Sequence, residues 1–404
     1  MITSYNGIVP KGDLMLLQKL AESLNGRSFL HVNSTKEGGG VAEILQRMIP
    51  IFQSLGIDAR WEVITGDAKF FDITKKIHNA LQGNMEIITD EMWEYHFDVN
   101  KRNAETINLD ADAVIIHDPQ PGPLVRFKKR GTWLWRCHID LSNPVKDVYA
   151  RLGKYTENFD AVIFSVARFA RALKIDEFII PPSIDPLSEK NRELTEEEIK
   201  ETAEKLNLPQ DRPIILQVSR FDKFKDPTGV IQAYRMVKRY NDCILILAGS
   251  PATDDPEGAA VLALVKEFAS SDPDIHILLL PPFSDKDINA LQRMATIVLQ
   301  KSLKEGFGLT VSEAMWKRKP VIGGAVGGIP LQIVHGVNGF LVNSIEGAAF
   351  RMRQLLNQPG LARAMGERAQ ETVRANFLIT RQARDYLAAW YVSENKGKTV
   401  LELI

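Results

Sequence analysis

Short runs of β-branched and apolar residues alternate with longer amphipathic stretches along most of the chain, and this alternation constrains the fold more than any other feature. A strand that is apolar throughout must be covered on both faces, and the intervening helices of a parallel sheet do that. In the first half the runs fall at residues 28–33, 59–64, 113–117, 132–136 and 161–164. In the second they fall at 214–218, 244–248, 275–279, 297–299 and 320–322. Between the first two lies a helical pattern over residues 41–55, with Ile44, Leu45, Met48, Ile51, Phe52 and Leu55 on one face. Pro50 is predicted to kink or break that helix, because it lacks the N–H and crowds the preceding turn.

The alternation pauses at Pro181-Pro182-Ser183-Ile184-Asp185-Pro186, where three prolines disfavour regular structure. Thr195-Glu196-Glu197-Glu198 then reads as a capping box opening a solvated helix. The domain boundary is placed near residue 184. The expected fold is α/β, with two doubly wound Rossmann-like domains facing a central cleft, residues 1–183 and 184–377. Beyond Gly360 the pattern is helical to the end, and residues 378–404 are expected to cross back and complete the first domain. Ligands of such sheets bind at the carboxyl ends of the strands.

Composition narrows the partners. The chain has 404 residues, with 50 Lys+Arg against 51 Asp+Glu, so no basic excess points to nucleic acid. Two cysteines, Cys137 and Cys243, are too few for a disulfide framework or a four-thiolate zinc site. The first residues lack a basic start followed by an apolar run, and no stretch reaches the roughly 18 apolar residues of a membrane span. A soluble, cytoplasmic protein with no membrane partner is expected.

The most informative motif is Glu305-Gly306-Phe307-Gly308-Leu309-Thr310-Val311-Ser312-Glu313, where a strand gives way to a glycine turn and then a helix. Free N–H groups and the positive end of a helix suit a diphosphate, and the glycines let it approach the backbone. A paired-carboxylate glycosidase fits poorly, because its carboxyls would stand about 5–5.5 Å apart. Glu305 and Glu313, if both helical, would be roughly 12 Å apart at 1.5 Å rise per residue. They read better as holding different parts of one elongated ligand.

Arg220 and Lys225 follow the run at 214–218, at the carboxyl end of the second domain's first strand. Two cations there can neutralise a diphosphate and stabilise it as a leaving group. Gly38-Gly39-Gly40 makes a similar turn before the helix at 41–55. Asp118 and His138, at strand ends of the first domain, are candidates for holding sugar hydroxyls. Asp110-Ala111-Asp112 precedes a strand and reads as a turn, not a metal motif. Asp254-Asp255 with Glu257 reads as a solvated loop. Gly397-Lys398-Thr399 has no helix to follow and is not a phosphate-binding loop. Neither Gly306-x-Gly308-x-x-Val311 nor Gly38-Gly39-Gly40-Val41-Ala42-Glu43 completes a dinucleotide fingerprint, so a nicotinamide enzyme is disfavoured.

Taken together, Glu305 and Glu313 around Gly306-Phe307-Gly308 resemble the Glu-x7-Glu motif of retaining GT-B glycosyltransferases, the superfamily of glycogen and sucrose synthases. Arg220 and Lys225 resemble its phosphate-binding pair. More narrowly, His31-Val32-Asn33-Ser34-Thr35, residues 38–45, His78-Asn79-Ala80-Leu81-Gln82-Gly83, His117-Asp118-Pro119-Gln120-Pro121, residues 133–142 and residues 181–191 resemble the trehalose synthase family. That resemblance implies transfer of glucose from a nucleoside-diphosphate glucose to glucose with retention of configuration. It implies donor binding by Arg220, Lys225, Gly39, Gly40, Glu313 and the backbone around Phe307, Gly308 and Leu309. Glu305 and His138 would meet the transferred sugar and Asp118 the acceptor. Asp226 departs from the glycine that many superfamily members carry after the lysine. No obligatory cofactor is implied, while magnesium, a homodimer and the donor base are left open. A retaining trehalose phosphorylase, a transferase with another sugar acceptor, and a non-catalytic nucleotide-sugar sensor are the alternatives.

Overall fold

A computed structural model describes residues 2–37, 39–249, 256–270, 272–398 and 401. It divides into two compact units, Met1–Ser183 with Ile379–Ile404, and Ile184–Leu378. In the first unit the strands are β1 (Ser28–Asn33), β2 (Asp58–Val63), β3 (Ala113–His117), β4 (Thr132–Cys137), β5 (Ala161–Phe164) and β6 (Asp176–Ile179). In the second they are β7 (Ile214–Val218), β8 (Ile244–Gly249), β9 (Ile275–Leu279), β10 (Ile297–Gln300), β11 (Val321–Gly324) and β12 (Gly339–Val342). Each unit holds one six-stranded sheet, ordered β2-β1-β3-β4-β5-β6 and β12-β11-β10-β7-β8-β9. Every pairing is parallel.

The central strands β3, β5, β7 and β10 are buried along their full length, which is why the sequence shows them as largely apolar runs. β6 and β12 were not expected. Both are four-residue edge strands, and Asp176-Glu177-Phe178-Ile179 in β6 is half-buried to exposed, so it shows no apolar run.

The chain order reverses once in each sheet. In the first unit β1 leads to β2 on one side and β3 on the other. In the second, β7 is followed outward by β8 and β9, and β10 returns to its opposite side. Connections depart in opposite directions at such a point and leave a crevice at the strands' carboxyl ends. The loops after β7 and β10 therefore adjoin one another in the second unit, as do those after β1 and β3 in the first.

No break falls at Pro50, and the last helix is shorter than expected. The helix Gly40–Ser54 runs through Pro50 without a break. Ile51 and Phe52, beyond the proline, are fully buried. At about 1.5–3 kcal/mol each, their burial offsets the roughly 3 kcal/mol cost of an internal proline. The C-terminal segment is not helical to the end. Pro359–Asn376 belongs to the second unit, Ile379–Glu394 to the first, and the latter stops at a turn where Gly397 has φ 83°. Ile379–Glu394 packs on Lys11–Ser23 and Gly40–Ser54 and is tied by the Arg27–Glu394 pair at 2.6 Å.

Thr195 and Glu198 form the expected capping box at the start of Glu196–Lys205. Asp112 accepts from Ser28 N at 2.9 Å and pairs with Arg130 at 2.7 Å, so the Asp-x-Asp segment braces the turn before β3. Gly38, Asp254, Asp255 and Thr399 lie outside the described residues, as does the side chain of Glu257. Among the described residues no helix is long and apolar enough to cross a membrane.

Candidate active site

In the second unit, the loops after β7 and β10 bring together two residues 80 positions apart. Lys225 Nζ lies 2.6 Å from Glu305 Oε2, with side chains 16% and 10% exposed. Two further donors converge on the same oxygen: Gln300 Nε2 at 3.2 Å and Ser302 Oγ at 3.1 Å. Gln300 is itself held by Thr310 Oγ1, which donates to its Oε1 at 3.1 Å. Glu305 is thus a fixed carboxylate, and Lys225 has two ammonium protons left for a ligand once one serves Glu305.

The Lys225 loop is locally determined. Asp222 Oδ1 accepts from Phe224 N at 2.7 Å, and Gln217 Nε2 donates to Lys225 O at 2.8 Å. Asp226 takes φ 48°, the left-handed conformation that glycine would adopt most cheaply at this position. It caps the helix Pro227–Lys238 through Gly229 N at 3.2 Å and pairs with the buried Lys301. The departure from glycine is therefore compensated by an ion pair and a helix cap. Arg220, by contrast, is 72% exposed and lies 3.5 Å from Asp222, in a position to swing toward an anion.

The turn after Glu305 is held from below. Gln332 Nε2 donates to Phe307 O at 2.7 Å, Ser312 Oγ donates to Gln332 Oε1 at 2.6 Å, and Gly328 N donates to Gly306 O at 2.9 Å. Gly308 adopts φ 84° at the N-cap of Leu309–Trp316, and no side chain caps that helix. Val311 N donates back to Gly308 O at 3.0 Å, while the N–H groups before it have no partner within the helix and leave an anion-receptive end near Glu305. Gly327 closes on the same turn, since a Cβ there would stand 1.7 Å from Glu305 O.

Glu313 lies in the second turn of that helix and is buried. Gln292 Nε2 donates to its Oε2 at 3.4 Å, and Lys190 Nζ lies 3.9 Å from Oε1. One turn on, burial pushes Lys317 down to about 7, although it donates to Asn191 Oδ1 at 2.9 Å and Glu313 O at 3.2 Å.

In the first unit, Gly39 is the N-cap of Gly40–Ser54, in the loop after β1. Asp118 follows β3 and His138 follows β4. Asp118 accepts from His138 N at 2.7 Å through Oδ1, and its carbonyl accepts from Trp135 Nε1 at 3.0 Å. Burial pushes the Asp118 carboxyl up to about 7, opposed by the His138 amide and by Arg136. His138 belongs to a chain that sequence reasoning missed: His31 Nδ1 to His117 Nε2 at 3.1 Å, and His117 Nδ1 to His138 Nε2 at 3.1 Å. The signal was present as histidines in β1, at the end of β3 and just after β4, but it is the register, which sets His31 opposite Ile115 and His117 opposite Arg136, that staggers them by two residues on one face.

The raised Asp118 pKa gives a test. From the ordinary 3.8 up to about 7 the folded state holds a proton that the unfolded state releases, so stability falls as pH rises through that window. Asp118→Asn keeps the oxygen acceptor, cannot ionise, and suits the left-handed φ of 64°. Thermal melts should show a larger gain for this variant over wild type at pH 8 than at pH 5. Equal gains at both would contradict the assignment.

Two Rossmann-like parallel-sheet units, the second with a cation and a fixed carboxylate at its switch point, are the architecture of the GT-B fold. Solved structures share the fold: OtsA, a trehalose-6-phosphate synthase, aligns at TM-score 0.73 and 12% identity over 90% of this chain and 98% of its own. A sucrose-phosphate synthase from Thermosynechococcus elongatus aligns at TM-score 0.71 and 18% identity over 90% and 98%. Residues 31–171 match the family model described as trehalose synthase, N-terminal domain, and residues 198–372 match glycosyl transferases group 1. The trehalose synthase of Thermococcus litoralis is 46% identical over 96% of this chain and 95% of its own length. That of Rubrobacter xylanophilus is 41% identical over 96% and 95%. The chain belongs to the trehalose synthase family.

Proposed function

We propose that the protein moves glucose from a nucleoside-diphosphate glucose to glucose, with retention of configuration, to form α,α-trehalose. The observation that carries this reading is the Lys225–Glu305 pair beside an uncapped helix N-terminus, in a chain similar over nearly its whole length to trehalose synthases. Lys225 and Arg220 take the diphosphate, and Gly39 and Gly40 offer it further backbone contact. Glu305 and His138 hold the transferred glucose, together with the backbone from Phe307 to Leu309. Glu313 takes the ribose hydroxyls by exchanging the long contact from Gln292. Asp118 holds the acceptor.

In the step itself, the bond from the glucose anomeric carbon to the diphosphate oxygen breaks as the acceptor hydroxyl bonds to that carbon from the same face. The hydroxyl proton passes to an oxygen of the departing diphosphate. Three donors already engage Glu305 through Oε2, which suits an orienting carboxylate better than a nucleophile. The protein contributes orientation and charge stabilisation, and the cations carry the leaving group's charge.

A phosphorolytic reading is the second candidate. The trehalose phosphorylase of Grifola frondosa is 30% identical over 97% of this chain but 61% of its own length. Incubating the protein with trehalose and either nucleoside diphosphate or phosphate separates the two. Sugar nucleotide is expected from the first mixture, and glucose 1-phosphate from the second would overturn the transferase reading.

Arg220→Ala should weaken nucleoside-diphosphate binding by about 10-fold, as loss of one charge-assisted contact does. Lys398→Ala should leave it unchanged, because that ammonium is bonded to Asn395 Oδ1 at 2.6 Å in a surface turn. Calorimetric titration of both variants checks this pair of outcomes.

A further inference from the structure

We infer that His117 and His31 are positioning residues, which hold His138 as the neutral tautomer with its proton on Nδ1 and present that N–H to an oxygen of the bound sugar nucleotide. The inference rests on the proposed contact between His138 and the transferred glucose.

The geometry is a row of three imidazoles, residues 31 in β1, 117 at the end of β3 and 138 just after β4, with 3.1 Å between ring nitrogens at each link. The rings are stacked, at centroid separations of 5.3 and 5.4 Å. His31 and His117 are buried, whereas His138 is half-buried and forms the end of the row that reaches the surface. Burial pushes His31 down to about 3 and holds His117 and His138 well below the usual imidazole range, with Arg136 adding to the effect on both. All three rings are therefore neutral at physiological pH, and each carries one N–H.

With one proton per ring, the two links have only two fully bonded arrangements. In the first, His138 Nε2–H donates to His117, His117 Nε2–H donates to His31, and His31 Nε2 must carry an N–H. In the second, His31 Nδ1–H donates to His117 Nε2, His117 Nδ1–H donates to His138 Nε2, and His31 Nε2 is a bare lone pair. The blind end decides between them. His31 Nε2 is buried without a partner among the described residues, in a wall formed by Phe29, Phe52 and Tyr386. A buried N–H left without an acceptor is rarer and costlier than a buried lone pair left without a donor. The second arrangement prevails, and it leaves His138 Nδ1 as the protonated nitrogen.

The rest of His138 is fixed independently, because its backbone N–H donates to Asp118 Oδ1. An Nδ1–H in this setting can donate to a sugar hydroxyl or phosphate oxygen and cannot accept a proton from the attacking hydroxyl. The row thus makes His138 a hydrogen-bond donor and not a general base.

The test is two-bond proton–nitrogen correlation on the full-length protein labelled with nitrogen-15 at histidine, near neutral pH, with rings assigned by single substitutions. His138, His117 and His31 should each show a protonated Nδ1 and a bare Nε2. A protonated Nε2 on His138, or a cationic ring in the row, would overturn the inference. The tautomers are read on the wild-type protein, and the single substitutions serve only to assign each ring. Kinetics adds a second readout. His117→Phe should lower kcat by about 10- to 100-fold, the usual loss when the partner that orients a functional histidine is removed, with the acceptor KM unchanged. His117→Asn should restore most of it, because its amide N–H can stand where Nδ1–H stood. Equal losses in both variants would overturn the positioning role. If the tautomers are as stated but His138→Gln leaves donor KM and kcat unchanged, the contact between His138 and the sugar fails while the tautomer assignment stands.

Discussion

Lys225→Ala is expected to lower kcat/KM by about 100- to 1,000-fold, the range lost when one preorganised group facing developing charge is removed. The ammonium at 2.6 Å from Glu305 serves two ends at once. It would meet the departing diphosphate, and it neutralises a carboxylate that is itself only 10% exposed. Removing it therefore also leaves a mostly covered carboxylate without its cation, which destabilises the fold. The variant should melt at lower temperature as well as turn over slowly. These two effects separate in the double variant Lys225→Ala with Glu305→Ala, where no charge is stranded. Stability should largely return and activity should not. Because Glu305 is itself placed at the sugar, only the melt of the double variant is informative, and a melting temperature as low as that of Lys225→Ala alone would contradict the stranded-charge account.

Gly327→Ala is the second large effect expected. The residue has φ 56°, and an added Cβ would stand 1.7 Å from the carbonyl oxygen of Glu305, which is backbone and cannot rotate away. The turn carrying Glu305, Gly306 and Phe307 must shift, and with it the carboxylate that Lys225, Gln300 and Ser302 hold. A displacement near 1 Å at a positioned group costs about 100-fold in rate. Gly336→Ala is the matched control. Gly336 also has positive φ, at 78°, but an added Cβ meets nothing within 4 Å. It carries the strain of a left-handed alanine, roughly 1–2 kcal/mol, with no route to the site. Steady-state kinetics and thermal melts on the two variants should show a rate loss confined to Gly327→Ala. Similar losses in both would contradict the steric account.

Much of this architecture is readable from the sequence, and the reason is burial. Strands covered on both faces, such as β3, β5 and β7, are apolar at nearly every position, with His117 and Gln217 the buried polar exceptions, so they stand out as runs. The edge strand β6 is solvated and carries Asp176 and Glu177, so nothing in its composition marks it. Glu305, Glu313, Arg220 and Lys225 stand in recognisable spacings. Gln300, Ser302 and Gln332 belong to no motif, since a glutamine or serine acquires meaning only from the atoms it faces. The Lys225–Glu305 contact spans 80 residues and exists because β10 returns beside β7. The histidine row spans 86 and 21 residues and likewise depends on strand order. Asp226 shows the converse case. Its departure from glycine is plain in the sequence, but the left-handed backbone, the helix cap and the Lys301 pair that accommodate it are visible only in three dimensions.

The most direct test of the central claim is proton NMR of the purified protein mixed with an α-configured nucleoside-diphosphate glucose and glucose, following the anomeric region as nucleoside diphosphate accumulates. The account predicts a single new α-anomeric signal, because the two rings of α,α-trehalose are equivalent, rising in step with one nucleoside diphosphate released per disaccharide. A β-anomeric signal from the product, two inequivalent anomeric signals from the product, or disaccharide formed without nucleoside diphosphate release would contradict it.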